Sequence, residues 1–134
     1  MVIYPELKKE FLKNDFDQTL VTTFENWVKA WGTKDIDTYI GTYSKSFSFN
    51  GMSLSKYRDY KNGLNKKYSE IKVAAENVRY NYHPKYHVVT FVQNYASKLA
   101  SGGQGFQSLG TKMLYFVKED GAYKIINESY TNLH

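Results

Sequence analysis

The chain has 134 residues, of which 42% are hydrophobic and 23% charged, a size and composition typical of one globular domain and too small for two. It contains no cysteine, which excludes disulfides, thiolate metal sites and a cysteine nucleophile, and it has no apolar run long enough to span a membrane. Its net charge is +5, and the segment from Lys45 to Lys72 carries that whole excess. This segment predicts either a solvated helix face or a surface for an anionic polymer. Because only two of the 18 basic residues are arginine, a nucleic-acid partner is not expected.

Residues 1–13 lack the apolar core of a signal peptide, so we expect an N-terminal extension or a short helix there, followed by a single domain over 14–134. Two alternatives follow for the compartment. The protein is cytoplasmic, or the chain is a mature or excised domain whose Met1 was supplied for expression.

Apolar residues at helical spacing predict a first helix from Phe16 to Trp31, with Asp15 as its cap and Gly32 as its stop. Trp27 and Trp31 fall on the apolar side, one turn apart, and both are interpreted as core residues. A second, shorter helix is predicted from Asp35 to Tyr43.

The segment Ser46–Phe49 alternates like a short strand and runs into the turn pair Asn50-Gly51. A third helix is then predicted over Ser53–Tyr68, although Asn62-Gly63 could end it early. From Ile71 onward the period changes to two, which predicts four strands joined by glycine- and proline-containing turns. Their expected bounds are 71–82, 86–99, 106–118 and 122–131.

Three helices followed by a long antiparallel sheet form an α+β architecture, in which the helices must cover one face of the sheet. A curved sheet wrapped around helices makes a cone with an open mouth. Polar side chains among apolar neighbours on such strands must either be hydrogen bonded internally or wait for a ligand. Gln93, Tyr95 and Lys112 are the clearest examples, and we expect such polar groups to stay unpaired until a ligand arrives.

This order of elements resembles the nuclear transport factor 2-like (SnoaL-like, cystatin-related) cone. More narrowly, the chain resembles the C-terminal domain of bacterial L,D-transpeptidase and L,D-carboxypeptidase proteins, which trim peptidoglycan. The matching motifs are Trp27…Ala30-Trp31, Asp35…Tyr39…Tyr43-Ser44…Phe47, Gly51-Met52-Ser53, Phe91-x-Gln93-x-Tyr95-x-Ser97, Lys112-x-Leu114 and Tyr123-Lys124-Ile125-Ile126-Asn127-Glu128.

The chain departs from that family at two points. It has Tyr57 and Tyr123 where the family usually has tryptophan, and it lacks the Cys/His catalytic domain of those enzymes. The resemblance therefore implies an accessory domain or a free-standing relative, located in the periplasm. It also implies a peptidoglycan stem, a glycan or a partner protein as ligand. A homodimer through the open face of the sheet is a further expectation, driven by exposed aromatic residues on strands 86–99 and 106–118.

We expect a non-catalytic binding or scaffolding module without cofactor or metal. The alternative is a small isomerase-, cyclase- or dehydratase-like enzyme that uses a pocket carboxylate. Asp35 and Asp37 are better explained as helix-capping residues, and His83 and His87 have no third ligand nearby in sequence. The ligand-pocket residues predicted at the mouth are Tyr39, Tyr43, Tyr57, Gln93, Tyr95, Lys112 and Glu128.

Glu128 is the remaining candidate for an acid or base. Regular alternation along the last strand places it on the same face as Lys124, Ile126 and Tyr130. If that face points inward, Glu128 can pair with Lys112 on the neighbouring strand. Three roles stay open for it: a surface ion pair, a ligand-orienting group or a catalytic group.

Overall fold

The computed structural model describes residues 18–83 and 85–133, so the expected extension over 1–13 and the helix residues Asp15 and Phe16 lie outside the described part. Within these described residues, three helices precede a long four-stranded sheet. The helices are α1 (Gln18–Thr33), α2 (Ile36–Gly41) and α3 (Leu54–Lys67). The strands are β1 (Ser48–Phe49), β2 (Met52–Ser53), β3 (Tyr68–Tyr82), β4 (His87–Leu99), β5 (Gln104–Glu119) and β6 (Ala122–Asn132).

The two shorter helices begin where the sequence predicts. The Asp35 carboxylate accepts a hydrogen bond from the Thr38 amide and caps α2, as expected. Ser53 caps α3 in the same way, and Asn62-Gly63 does not interrupt that helix. Before α3, Asn50 and Gly51 both have positive φ, 49° and 79°, and join β1 to β2 as a tight hairpin.

The four long strands pair as an antiparallel sheet in the order β3-β4-β5-β6. The helices lie on its inner face, which carries the odd-numbered residues of β4, from Val89 through Phe91 to Ser97. α1 buries Leu20, Phe24 and Trp27 against this face, and Trp31 is half-buried beside them. The α+β prediction of helices covering a curved antiparallel sheet is confirmed.

Two irregularities interrupt the ladders. On β3 the register shifts between Glu76 and Arg79, around Asn77, which has a positive φ of 51°. On β6 the partners Tyr115–Asn127 and Phe116–Ile125 leave Ile126 opposite no residue, which is a β-bulge. The second bulge decides which side chains of β6 point toward the helices.

Three of the six aromatic residues expected to drive a homodimer are buried. Phe91, Tyr95 and Phe116 lie inside the monomer, whereas Phe106 is exposed and Tyr86 and Tyr115 are half-buried. A homodimer through the sheet stays a prediction.

Candidate functional site

Five of the seven predicted pocket residues meet on the inner side of β5 and β6. Tyr39 comes from α2, Tyr43 from the segment after it, and Tyr57 from α3, and all three are buried. Lys112 comes from β5 and Glu128 from β6. Residues far apart in sequence are thus brought together by the helices packing across the sheet.

The three tyrosine hydroxyls form a chain that ends on the Glu128 carboxylate. The Tyr43 hydroxyl donates to Glu128 Oε1 at 2.8 Å and accepts from Trp27 Nε1 at 3.3 Å. Tyr39 lies 3.2 Å from Tyr43, and Tyr57 lies 3.4 Å from Tyr39, both measured between hydroxyl oxygens. The Tyr43 hydroxyl has a single proton and donates it to Glu128, because a carboxylate is the stronger acceptor. The hydrogen bond between Tyr39 and Tyr43 therefore uses the proton of Tyr39.

Burial holds these phenols in their neutral form. The pKa of Tyr39 and that of Tyr43 are raised well above the usual range, chiefly because burial penalises the phenolate. The negative charge of Glu128 raises both further, and the pKa of Tyr57 is raised for the same two reasons. The tyrosines therefore act as hydrogen-bond donors.

Glu128 is buried and fully paired. Its second oxygen, Oε2, lies 2.5 Å from Lys112 Nζ, and the two side chains are only 3% and 11% exposed respectively. With Tyr43 on Oε1, both carboxylate oxygens are occupied. The expectation that these polar groups stay unpaired until a ligand arrives is wrong for Tyr43, Lys112 and Glu128.

Glu128 shares its face with Tyr130, as predicted, but not with Lys124 and Ile126, and the bulge at Ile126 is the reason. Regular alternation groups Glu128 with Lys124 and Ile126, but the extra residue moves it to the face of Tyr123 and Ile125. Its cross-strand partner is Leu114, a fully buried residue of the inner face. The bulge therefore puts Glu128 on the same inner face as Ile125, which regular alternation from Ile125 onward would not do.

Gln93 lies on the same inner face but outside that network. Its side chain is buried, and its Oε1 has no hydrogen-bond partner within residues 18–83 and 85–133. Its partners on the two flanking strands are Ala75 and Gly110, which present a methyl group and no side chain. A buried amide oxygen without a donor costs about 1–3 kcal/mol, and a donor that reaches Gln93 would recover this free energy.

Tyr95 belongs to a separate cluster. It packs with Tyr68 and Ile71, its ring lies 5.4 Å from that of Trp31, and Phe106 follows at 6.0 Å, between ring centroids. The structure therefore does not bring Tyr95 into the tyrosine–glutamate network. Tyr95 instead connects the inner face near Gln93 to Trp31.

Lys61 is a site residue that the sequence analysis missed. Its ammonium lies over three rings, with Nζ 4.6 Å from the centroid of Trp31, 5.4 Å from Tyr39 and 5.8 Å from Tyr57. In the described ranges no carboxylate lies within ion-pair distance of it. Burial lowers the pKa of Lys61 to about 8, and this outweighs the attraction of Glu128.

A signal for Lys61 was present in the sequence. It stands four residues after Tyr57, on the side of α3 that carries the aromatic stripe, and this spacing places the two side chains on one face. The sequence analysis treated Lys61 only as one of the charges in the basic segment and therefore did not place it at the site. In the same segment Arg58 pairs with Asp37 and Lys72 with Glu70, so this surface is less uniformly positive than its composition indicates.

The described part of the chain contains no candidate metal cluster. Among residues 18–83 and 85–133, no cluster of three or more His, Cys, Asp or Glu side chains could hold a metal ion. His83 stacks on Tyr86 with ring centroids 4.4 Å apart, and His87 lies edge-on to Tyr82 at 4.5 Å. In the part of the chain that the structure covers, no helix has the length and apolar character to cross a membrane.

Comparison with known families gives one match over most of the chain. The model of the Cds6 C-terminal NTF2-like domain matches residues 19–129. A comparison with curated proteins found no match.

Solved structures with the same fold include Bd1075 from Bdellovibrio bacteriovorus, with a TM-score of 0.75 and 28% identity. The match covers 87% of this chain but only 40% of Bd1075, so this chain spans less than half of that protein. An NTF2-like superfamily protein from Salmonella enterica matches with a TM-score of 0.73 and 13% identity, covering 86% of this chain and 89% of that one. A candidate scytalone dehydratase from Novosphingobium aromaticivorans matches with a TM-score of 0.70 and 11% identity, covering 87% of both chains.

Proposed function

The chain belongs to the family of the Cds6 C-terminal NTF2-like domain, and on this premise we propose that it is a non-catalytic binding module of the cell envelope. We propose that its ligand is peptidoglycan-related and carries peptide amides and a free carboxylate. The resemblance to the C-terminal domain of L,D-transpeptidase and L,D-carboxypeptidase proteins supports this choice, since those proteins act on peptidoglycan.

The observation that carries the proposal is the unpaired amide oxygen of Gln93. Its Oε1 is buried without a donor in the described part of the chain, and its cross-strand neighbours Ala75 and Gly110 have no side chain that could donate a hydrogen bond to it. A ligand N–H that reaches this oxygen recovers the free energy lost to its desolvation. An amide N–H of the ligand, from its peptide or from an acetamido group, supplies such a donor.

Lys61 is the second residue in the proposed site, and it would bind the carboxylate of the ligand. Its ammonium has aromatic rings around it but no carboxylate partner within the described ranges, and its lowered pKa reflects that incomplete compensation. Trp31 contacts both Lys61 and Tyr95, and Tyr95 is the next inward residue after Gln93 on β4. A ligand whose amide reaches Gln93 can therefore extend along Tyr95 toward Lys61 with a carboxylate.

The state of Glu128 argues against general base catalysis. A base must lie within hydrogen-bond reach of the proton it removes. Here Oε1 accepts from Tyr43 and Oε2 is paired with Lys112, so each oxygen of Glu128 already has a partner that holds its negative charge. Glu128 instead fixes the tyrosines and Lys112 in place.

Calorimetric titration with a soluble disaccharide tetrapeptide and with the free tetrapeptide tests the proposal. We expect both to bind, and Gln93→Ala and Lys61→Gln each to weaken binding about tenfold, the effect of losing one hydrogen bond or one charge pair. Asn94→Ala, on the opposite face of β4, and Lys66→Gln, on the exposed side of α3, are the matched controls. Wild-type affinity in both site variants would remove the site assignment, and no binding by wild type would remove the proposed function.

The alternative proposal is a small cone-fold enzyme. The specific observation in its favour is a carboxylate buried to 3% exposure and contacted by a chain of tyrosines. It requires Lys112 or Tyr43 to leave Glu128 when substrate enters. Turnover of a dehydratase- or isomerase-type substrate that Glu128→Gln abolishes would favour this alternative over the binding module.

A further inference from the structure

Tyr130 stands out among the exposed aromatic residues because its ring is held in a fixed place. It comes from the inner face of β6, beside Lys112, and 37% of its surface is exposed. A Cβ on Gly110 would lie 2.4 Å from Tyr130 Cζ and 2.5 Å from its hydroxyl. The ring therefore lies directly over the backbone of Gly110, in space that any other residue would fill.

Further contacts fix the orientation of this ring. The Tyr130 hydroxyl is hydrogen bonded to Ser108 and lies 3.4 Å from Asn132 Oδ1. Lys112 Nζ lies 5.8 Å from the ring centroid. An aromatic side chain clamped at its tip and resting on glycine loses little conformational entropy when a ligand stacks on its open side.

Gly110 also places this ring next to Gln93, the residue with the unpaired side-chain oxygen. Gly110 is the cross-strand partner of Gln93, so the Tyr130 ring occupies the place next to the Gln93 side chain on the inner face. An exposed aromatic surface and an unpaired hydrogen-bond acceptor therefore lie side by side. Tyr130 was not among the pocket residues expected from the sequence.

We propose that Tyr130 is the stacking platform for the pyranose ring of an N-acetylated sugar whose acetamido N–H donates to Gln93. This inference rests on the proposed function and names the part of the ligand that binds at the mouth. The C–H face of a pyranose is apolar and matches the exposed face of a phenol ring. An N-acetylhexosamine adds an amide N–H next to that face, which is the donor that the Gln93 oxygen lacks.

The test uses a peptide-free β-1,4-linked tetramer of N-acetylglucosamine, titrated into the full chain and followed by NMR of the sugar. We expect the protons on one sugar face to shift upfield, since they lie over the Tyr130 ring. Tyr130→Ala should weaken binding at least tenfold and abolish the shift, whereas Tyr130→Phe should stay within about threefold of wild type because it keeps the ring. Leu109→Ala, next to Gly110 on the outer face, is the matched control.

The tetramer of unsubstituted glucose tests the contact with Gln93. It keeps the stacking face but lacks the acetamido group, so it should bind wild type about tenfold more weakly than the acetylated tetramer. In Gln93→Ala that difference should disappear, because neither sugar then has an acceptor to reach. An undiminished preference for the acetylated sugar in Gln93→Ala would overturn the pairing with Gln93.

The outcomes separate this inference from the proposed function. If the disaccharide tetrapeptide and the free tetrapeptide bind but the acetylated tetramer does not, the sugar platform is wrong and the peptide-binding module stands. If the acetylated tetramer binds through Tyr130 but the tetrapeptide does not bind, the platform stands and the peptide part of the proposal is wrong. Should Tyr130→Ala fail to fold, the absence of an upfield shift with wild type alone would overturn the platform.

Discussion

Two groups of polar residues lie between the helices and the inner face of the sheet, and they differ in how many of their hydrogen-bond and ion-pair partners are present. The paired cluster consists of Tyr43, Lys112 and Glu128, in which both carboxylate oxygens have a partner. The open pair consists of Gln93, whose Oε1 has no donor in the described part of the chain, and Lys61, whose ammonium is surrounded by rings. The difference indicates that burial alone does not mark a binding residue.

Substitutions in the two groups should change the free energy of unfolding in different ways. Removing one partner of a buried ion pair leaves an uncompensated charge, so substitutions in the paired cluster should lower the free energy of unfolding strongly. The open pair already carries a desolvation cost in the free protein, so removing its polar atoms should relieve that cost and weaken ligand binding. Stability and binding should thus change in opposite directions at the open pair.

The largest effect is expected at the paired cluster. Lys112→Met should lower the free energy of unfolding by about 3–5 kcal/mol, because it leaves the buried Glu128 carboxylate without its cation. The double variant Lys112→Met/Glu128→Leu should recover most of this loss. Urea unfolding measures both, and a single variant within about 1 kcal/mol of wild type would contradict the role given to the pair.

A smaller effect of opposite sign is expected for Lys61. Its folded-state pKa of about 8 lies below the ordinary 10.5, so the unfolded chain binds more protons between these values and the free energy of unfolding rises with pH across that window. Lys61→Met should stabilise the protein by about 1–3 kcal/mol at pH 7, and this gain should shrink toward pH 10. Unfolding curves at several pH values measure it, with Lys66→Met as the control; a gain that does not change with pH would contradict the assignment to Lys61.

The same lysine should make binding of a carboxylate ligand depend on pH. A bound carboxylate favours the protonated amine, so affinity should fall as pH rises above about 8, where free Lys61 loses its proton. Lys61→Arg keeps its charge and should bind with little change up to pH 10. Titrations from pH 6 to pH 10 compare the two proteins, and the same decline in both would assign the titration to another group.

Gln93 offers a still smaller change in stability. Gln93→Leu should raise the free energy of unfolding by about 1 kcal/mol, because it removes an unpaired buried oxygen while keeping similar volume. The same change should abolish the contribution of Gln93 to ligand binding. Thermal unfolding and titration of one preparation measure both, with Asn94→Leu on the outer face for comparison; a loss of stability would mean that Gln93 is bonded internally.

The smallest effect belongs to the far end of the tyrosine chain. Tyr57 reaches Tyr39 only at 3.4 Å between hydroxyl oxygens, so Tyr57→Phe should cost no more than about 0.5–1 kcal/mol. Tyr43→Phe should cost more, since it removes the donor to Glu128 Oε1. Urea unfolding of the two variants ranks them, and the reverse order would contradict the direction of the chain.

Periodicity in the sequence was sufficient to predict the helices, the long strands and the α+β arrangement, because each element buries a regular apolar stripe. It also singled out Tyr39, Tyr43 and Lys112 as inward-facing polar residues. The sequence also proposed that Glu128 pairs with Lys112 if it points inward, and the structure contains this pair. The sequence left the inward orientation open, because it does not show the bulge at Ile126. Lys61 was missed because it was counted only with the basic segment, although its position four residues after Tyr57 places it on the aromatic side of α3.

The bulge at Ile126 has a consequence for how this strand tolerates changes in length. Ile125 already faces Phe116 and Asn127 already faces Tyr115, so deleting Ile126 would leave a regular ladder with the same partners. Glu128 would still point inward after that loss. A one-residue gap at this position in a related protein therefore does not by itself signal a different interior.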